Sequence, residues 1–146
     1  MKKIFYILLL IFFPNIIYAD IPKKYLSLKN KLVNVRYGPG FNFPIKYVYK
    51  KIYLPVEVID KKENFRRIID FKKNSGWIHI SQLKKINSLI ISENKILFKK
   101  PSKFSKPLVK LEKGRLVILK KCEPNWCRIE TGNYSGWIET KNVWGI

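Results

Sequence analysis

Acidic residues are scarce in this chain: ten Asp and Glu stand against thirty Lys and Arg in 146 residues, a formal charge of +20. The carboxylates are scattered among lysines, so no pair is set up for the acid and base roles of glycan hydrolysis. Histidine is limited to His79, and cysteine to Cys122 and Cys127. Two thiolates and one imidazole cannot complete a structural zinc tetrad, and a C-x₄-C spacing is not the C-x-x-C of a redox dithiol. A cysteine or serine nucleophile would need His79 as its base, and both thiols are better accounted for as a disulfide. We therefore expect no catalytic residue, no metal and no cofactor, and take the protein as not an enzyme. Long apolar runs are missing too. The longest, Ile4 to Phe13, covers ten residues, about half of what a membrane span needs. No stretch sustains a helical period, which leaves strands as the regular structure.

That apolar run follows Lys2 and Lys3 and is closed by Pro14-Asn15 and Ile16-Ile17-Tyr18-Ala19. The arrangement is the cationic start, apolar stretch and small-residue cleavage site of a secretory signal. Residues 1–19 are read as a signal peptide, with the mature chain starting at Asp20; a retained membrane anchor is the alternative. The first cysteine is Cys122, so a lipid-modified N-terminus is not available, and the mature chain is expected to carry no transmembrane span. The expected location is the periplasm or the exterior. In such an oxidising compartment Cys122 and Cys127, which flank a four-residue turn between two expected strands, read as a disulfide.

The basic excess suggests an anionic partner such as phosphate-rich lipid, polyanionic glycan or nucleic acid. Twenty-five of the thirty cations are Lys, beside 21 Ile and 11 Asn, the bias of an AT-rich coding sequence, so composition supplies part of the charge. Export argues against a nucleic-acid role.

The remainder of the chain repeats itself. Ser75-Gly76-Trp77-Ile78-His79 is answered by Ser135-Gly136-Trp137-Ile138-Glu139 at a spacing of 60, Phe65-Arg66-Arg67-Ile68 by Trp126-Cys127-Arg128-Ile129 at 61, and Val35 to Pro39 by Leu97 to Pro101 at 62. Drift by single residues is what small loop insertions produce in two copies of one fold. Each copy is cut into short segments rich in Val, Ile, Phe and Tyr between turn residues, which is the strand pattern. Strands are expected at 32–36, 46–50, 56–60, 65–70 and 76–78, then at 95–98, 109–111, 115–120, 127–130 and 135–138. Tyr37 to Pro44, with two Gly and two Pro, forms a long loop. Five short strands and one early loop in about 60 residues point to an all-β chain of two small, strongly bent barrels.

Val33-Asn34-Val35-Arg36-Tyr37-Gly38-Pro39, followed by Leu54-Pro55-Val56-Glu57-Val58, Phe65-Arg66-Arg67-Ile68 and Gly76-Trp77-Ile78-His79, resembles the bacterial SH3-like (SH3b) domain. The second copy departs more, keeping Pro101, Trp126, Gly136-Trp137-Ile138 and Val143-Trp144-Gly145. Together they resemble the secreted tandem SH3-like proteins of Gram-negative bacteria. The division expected is a lead-in over 20–29, a first domain over 30–86 and a second over 87–146. The resemblance implies a noncatalytic envelope module. It also implies a groove beside the long first loop, lined here by Arg36, Tyr37, Phe41, Phe43 and Tyr49, able to hold an extended peptide or glycan. Phe104 occupies the loop of the second copy. Phe65, Trp77, Trp126 and Trp137 are expected in the barrel cores. Two functions stand open: recognition of cell-wall peptide or glycan through that groove, and docking of an acidic protein or anionic envelope polymer.

Overall fold

A computed structural model describes residues 23–146, and the expected signal peptide lies outside them. The first half holds β1 (Lys24–Leu28), β2 (Val33–Arg36), β3 (Ile45–Tyr49), β4 (Pro55–Lys62), β5 (Phe65–Ile69), β6 (Ser75–His79) and β7 (Leu83–Lys85), with a short 3₁₀ turn at Ile80–Gln82. The second holds β8 (Ser88–Ile91), β9 (Lys95–Phe98), β10 (Pro107–Leu111), β11 (Leu116–Glu123), β12 (Trp126–Thr131), β13 (Tyr134–Glu139) and β14 (Val143–Trp144). The first sheet runs β3-β2-β6-β5-β4-β1-β7 and the second β10-β9-β13-β12-β11-β8-β14, the same order strand for strand. The protein is all-β, two tandem SH3-like domains. All ten expected strands are present.

Two expectations are corrected. Neither sheet closes into a barrel, because the end strands β3 and β7, or β10 and β14, are not hydrogen-bonded to each other. These ends are short, and β2 meets β6 at the single pair Arg36–Trp77, so too little edge is in register for closure. The lead-in, in turn, contains β1, which sits between β4 and β7. Lys24-Tyr25-Leu26-Ser27-Leu28 alternates only loosely, and what recruits it is the free edge of β4 together with a place for Leu28 in the core.

Side-chain parity decides what each strand buries. Val33 and Val35, Ile68, Ile78, Val56 and Leu28 form the first core, fully buried, and Leu97, Ile129, Ile138, Val117, Leu89 and Ile91 the second. Gly76 and Gly136 share the inward parity of Ile78 and Ile138. A Cβ on Gly136 would stand 2.5 Å from the Phe98 carbonyl, and one on Gly76 would overlap Val35. The glycine of the repeated Ser-Gly-Trp-Ile motif is the place where β6 crosses close to β2, and β13 close to β9.

By the same parity Trp77 and Trp137 lie on the outer face, half-buried and outside both cores. Trp126 is half-buried as well. Of the four aromatics expected in the cores only Phe65 is buried, at 5 % exposure, and it too faces outward. The outer face of β5 and β6 is covered by the long loop, and that cover is what hides it.

Cys122 and Cys127 are bonded to each other across β11 and β12. The pair flanks a tighter turn than expected, since Glu123 still pairs with Trp126 and only Pro124-Asn125 turns, with Asn125 at φ 70°. Cys127 is fully buried in the second core. Closing so short a loop stabilises by about 2 kcal/mol on the chain-entropy account. Replacing both cysteines by Ser should lower stability by about that amount, read as a fall in the denaturant midpoint at an unchanged m-value. An unchanged midpoint would remove the bond from the account of stability.

Only Ile86 and Asn87 separate β7 from β8, and the two sheets are sewn together there. The Ser88 hydroxyl donates to the Tyr53 carbonyl, so the Ser27 hydroxyl donates to Ser88 Oγ at 3.1 Å, and the Asn87 amide donates to Ser27 Oγ at 3.2 Å. Trp144 of the second domain donates its indole N–H to the Pro55 carbonyl of the first at 3.1 Å. Its ring lies edge-on to Tyr25 at 5.2 Å and to Phe71 at 6.2 Å, with Lys73 Nζ 5.2 Å from its centre.

Candidate functional site

The loop between β2 and β3 folds back over the outer face. Arg36 Nη1 donates to the Phe43 carbonyl at 2.7 Å and to the Phe41 carbonyl at 3.3 Å, and the Tyr37 amide donates to the Pro44 carbonyl at 3.2 Å. Gly38 lacks a side chain where the Phe43 ring rests, a Cβ there being blocked by that ring, whereas a Cβ on Gly40 would first meet Asn42 Oδ1, with the ring at 3.3 Å. Phe41 packs edge-on against Phe65 at 5.2 Å and at a 38° tilt against the His79 ring at 5.0 Å, with the Arg36 guanidinium 5.5 Å from its centre. His79 itself is turned to the 3₁₀ segment, its Nδ1 2.8 Å from Ser81 Oγ.

On the other side of Arg36 the loop borders a shallow depression of about 310 Å³ lined by Arg36, Tyr37, Lys46, Arg67, Ser75 and Trp77. Strand pairing builds it: Trp77 lies opposite both Arg36 and Arg67. Lys46 donates to the Ser75 carbonyl at 2.9 Å and holds its charge 5.7 Å from the Tyr37 ring. Three cations, two aromatic faces and no carboxylate line the depression. Such a surface can hold a carboxylate or phosphate group and stack a ring or apolar side chain beside it.

Of the five expected groove residues, Arg36, Tyr37, Phe41 and Phe43 gather around this loop. Tyr37 is 63 % exposed and Phe41 66 %. Tyr49 is elsewhere. Its hydroxyl donates to Asp70 at 2.9 Å and stands 3.3 Å from that of Tyr47, beside the junction with the second domain. Burial, then the Tyr47 hydroxyl and the Asp70 carboxylate, push the Tyr49 phenol far above its usual range. Asp70 also takes the Lys72 and Asn74 amides, so this cluster secures the turn after β5. Lys46, Arg67 and Trp77 were missed as groove residues. The signal was the alternation along Ser75-Gly76-Trp77-Ile78, which places Trp77 opposite Ile78 once Ile78 is assigned to the core.

The second copy keeps the framework and changes its chemistry. Its loop repeats the backbone bonds, Lys99 N to Lys106 O at 2.9 Å, Ser102 N to Lys100 O at 2.8 Å and Ser105 N to Ser102 O at 3.1 Å. Phe98, Lys99 and Leu108 stand where the first copy has Arg36, Tyr37 and Lys46. Lys103 takes the place of Phe41 and Glu139 that of His79, so an aromatic stack becomes an ion pair at 3.0 Å. Phe104 therefore corresponds to Asn42, one position beyond Phe41.

A family model for the bacterial SH3 domain matches residues 29–85 and again 92–145. Each match begins just after the strand, β1 or β8, that completes the sheet. No curated protein sequence matches the chain. Among solved structures the fold is similar to NlpC2 and NlpC1 from Trichomonas vaginalis, at 16 % and 15 % identity and a TM-score of 0.39 for each. Each match covers 84 % of this chain and 48 % or 45 % of theirs, so the chain spans about half the length of these proteins.

Proposed function

We propose that this chain, which belongs to the bacterial SH3 domain family, is an exported, noncatalytic binding module of the cell envelope that recognises cell-wall peptide or glycan through its first domain. The observation that carries this reading is the depression between Tyr37 and Trp77, where three cations and two aromatic faces meet beside a loop held rigid by Arg36. A carboxylate-bearing stem peptide matches that lining in charge, and a sugar ring can lie on either aromatic. A noncatalytic role agrees with the use of the nucleophile and base candidates in structure, the thiols in a disulfide and His79 Nδ1 on Ser81. The disulfide favours an oxidising compartment. No helix among the described residues is long and apolar enough to cross a membrane.

The test is retention of the protein on purified peptidoglycan sacculi with salt titrated. Replacing Tyr37 and Phe41 by Ala should reduce retention by about tenfold or more, while the loss of Phe41 edge contacts costs about 1 kcal/mol and so only a few degrees of melting temperature. Retention that survives the substitutions would exclude the loop. Docking of an anionic polymer or acidic protein, favoured by the carboxylate-free lining, is separated by its steep loss between low and physiological salt.

A further inference from the structure

The loop of the second domain is the opposite of its counterpart in the first. Tyr37 to Pro44 carries no charge, whereas Lys99-Lys100-Pro101-Ser102-Lys103-Phe104-Ser105-Lys106 carries four lysines around a single aromatic. Phe104 is fully exposed at 101 %, at the tip position that Asn42 fills in the first copy, and among the described residues no ring packs against it. The loop presents it by construction. Beyond the three shared backbone bonds, Ser102 Oγ accepts from the Phe104 amide at 3.2 Å and Ser105 Oγ from the Lys100 amide at 2.9 Å. The Lys103–Glu139 pair ties the residue just before Phe104 to β13. Lys99, Lys100 and Lys106 are exposed and have no acidic partner among the described residues.

We propose that this loop docks the second domain onto an anionic lipid bilayer, Phe104 entering the headgroup boundary and Lys99, Lys100 and Lys106 lying against lipid phosphates. A convex aromatic tip with basic shoulders fits an interface that yields around it. An acidic protein would need a matching pocket, and a polyanion gives a phenyl ring nothing apolar to enter. Aromatic and apolar residues at the acyl boundary flanked by Lys make up the general chemistry of interfacial anchoring. The inference concerns a different domain and ligand from the groove and does not depend on it.

Co-sedimentation tests it with the chain from Asp20 onward, which holds every strand described, and vesicles of phosphatidylcholine with or without phosphatidylglycerol. Binding is expected on the anionic vesicles and absent on phosphatidylcholine alone. Phe104→Ala should lower the partition coefficient by about tenfold, from the lost burial of one phenyl ring, and Phe104→Leu should restore most of it. Replacing Lys99, Lys100 and Lys106 by Gln should cost on the order of 100-fold, all variants melting like the parent because the side chains changed are solvent-exposed. In Phe104→Trp, brominated acyl chains should quench emission beyond that of the four native tryptophans. Equal binding of Phe104→Ala and parent, or absence of that added quenching, overturns the proposal. Loss confined to the Lys variant, with full competition by soluble polyglutamate, assigns the loop to acidic polymers instead.

Discussion

Trp144→Ala is expected to lower the melting temperature by at least about 6 °C and to split one calorimetric transition into two. Trp144 is 8 % exposed although it belongs to a two-residue strand at the end of the second sheet. Its burial comes from the other domain: the Pro55 carbonyl accepts from its indole, and Tyr25 and Phe71 meet its ring edge-on. Truncating a buried Trp costs about 3–5 kcal/mol, and here most of that is coupling between domains. Each domain has its own core but is small enough to be marginal alone. Separate transitions follow once the coupling is gone. Trp77→Ala is the control, since its half-buried ring faces outward and should cost less. A single transition near the parent temperature for Trp144→Ala would mean that the Ser27–Ser88 seam alone joins the domains.

Gly76→Val is expected to destabilise by about 3 kcal/mol, the upper end of the usual overpacking range, and to abolish retention on sacculi with it. The added Cβ would overlap Val35 and stand 3.0 Å from the Arg36 carbonyl. Neither neighbour can step aside cheaply, because Val35 is fully buried and Arg36 is backbone in the one pair that joins β2 to β6. Forcing those strands apart also separates Trp77 from Arg36, which is how the depression is built. Gly132 makes the contrast. A Cβ there meets nothing within 4 Å, and only its φ of +53° resists a side chain, so Gly132→Ala should cost about 1–2 kcal/mol and leave binding intact. Equal losses from the two substitutions would show that backbone conformation, and not the close strand crossing, explains the motif.

The tandem architecture was legible because it is written locally. Alternation of Val, Ile and Phe marks a strand, Gly and Pro mark the long loop, and the recurring Ser-Gly-Trp-Ile places equivalent strands about 60 residues apart. The disulfide could be read from sequence for the same reason: its two partners are five positions apart and no other cysteine competes. Four strands were not legible. β1, β7, β8 and β14 are short and weakly patterned, and each forms because an edge elsewhere offers hydrogen bonds and a core offers space.

Sequence alone determined ten of the fourteen strands, the duplication, the cysteine pairing and the aromatic loop, since each depends on neighbours within a few residues along the chain. Which way the aromatics face was decided only by tertiary structure. Trp77 and Trp137 look like core residues by composition, yet Gly76 with Ile78, and Gly136 with Ile138, claim the inner face, and a period of two leaves the Trp outside. Tyr49 and Tyr37 belong to one loop-flanking stretch in sequence, but pairing sends Tyr49 to Asp70 at the domain junction and Tyr37 to Lys46 at the depression. Phe41 and Phe104 look equivalent until the loop hydrogen bonds set the register, one residue apart. That single step sets one ring edge-on against Phe65 and leaves the other without a ring partner among the described residues, because the neighbour a side chain meets depends on register between distant strands and not on its own residue type.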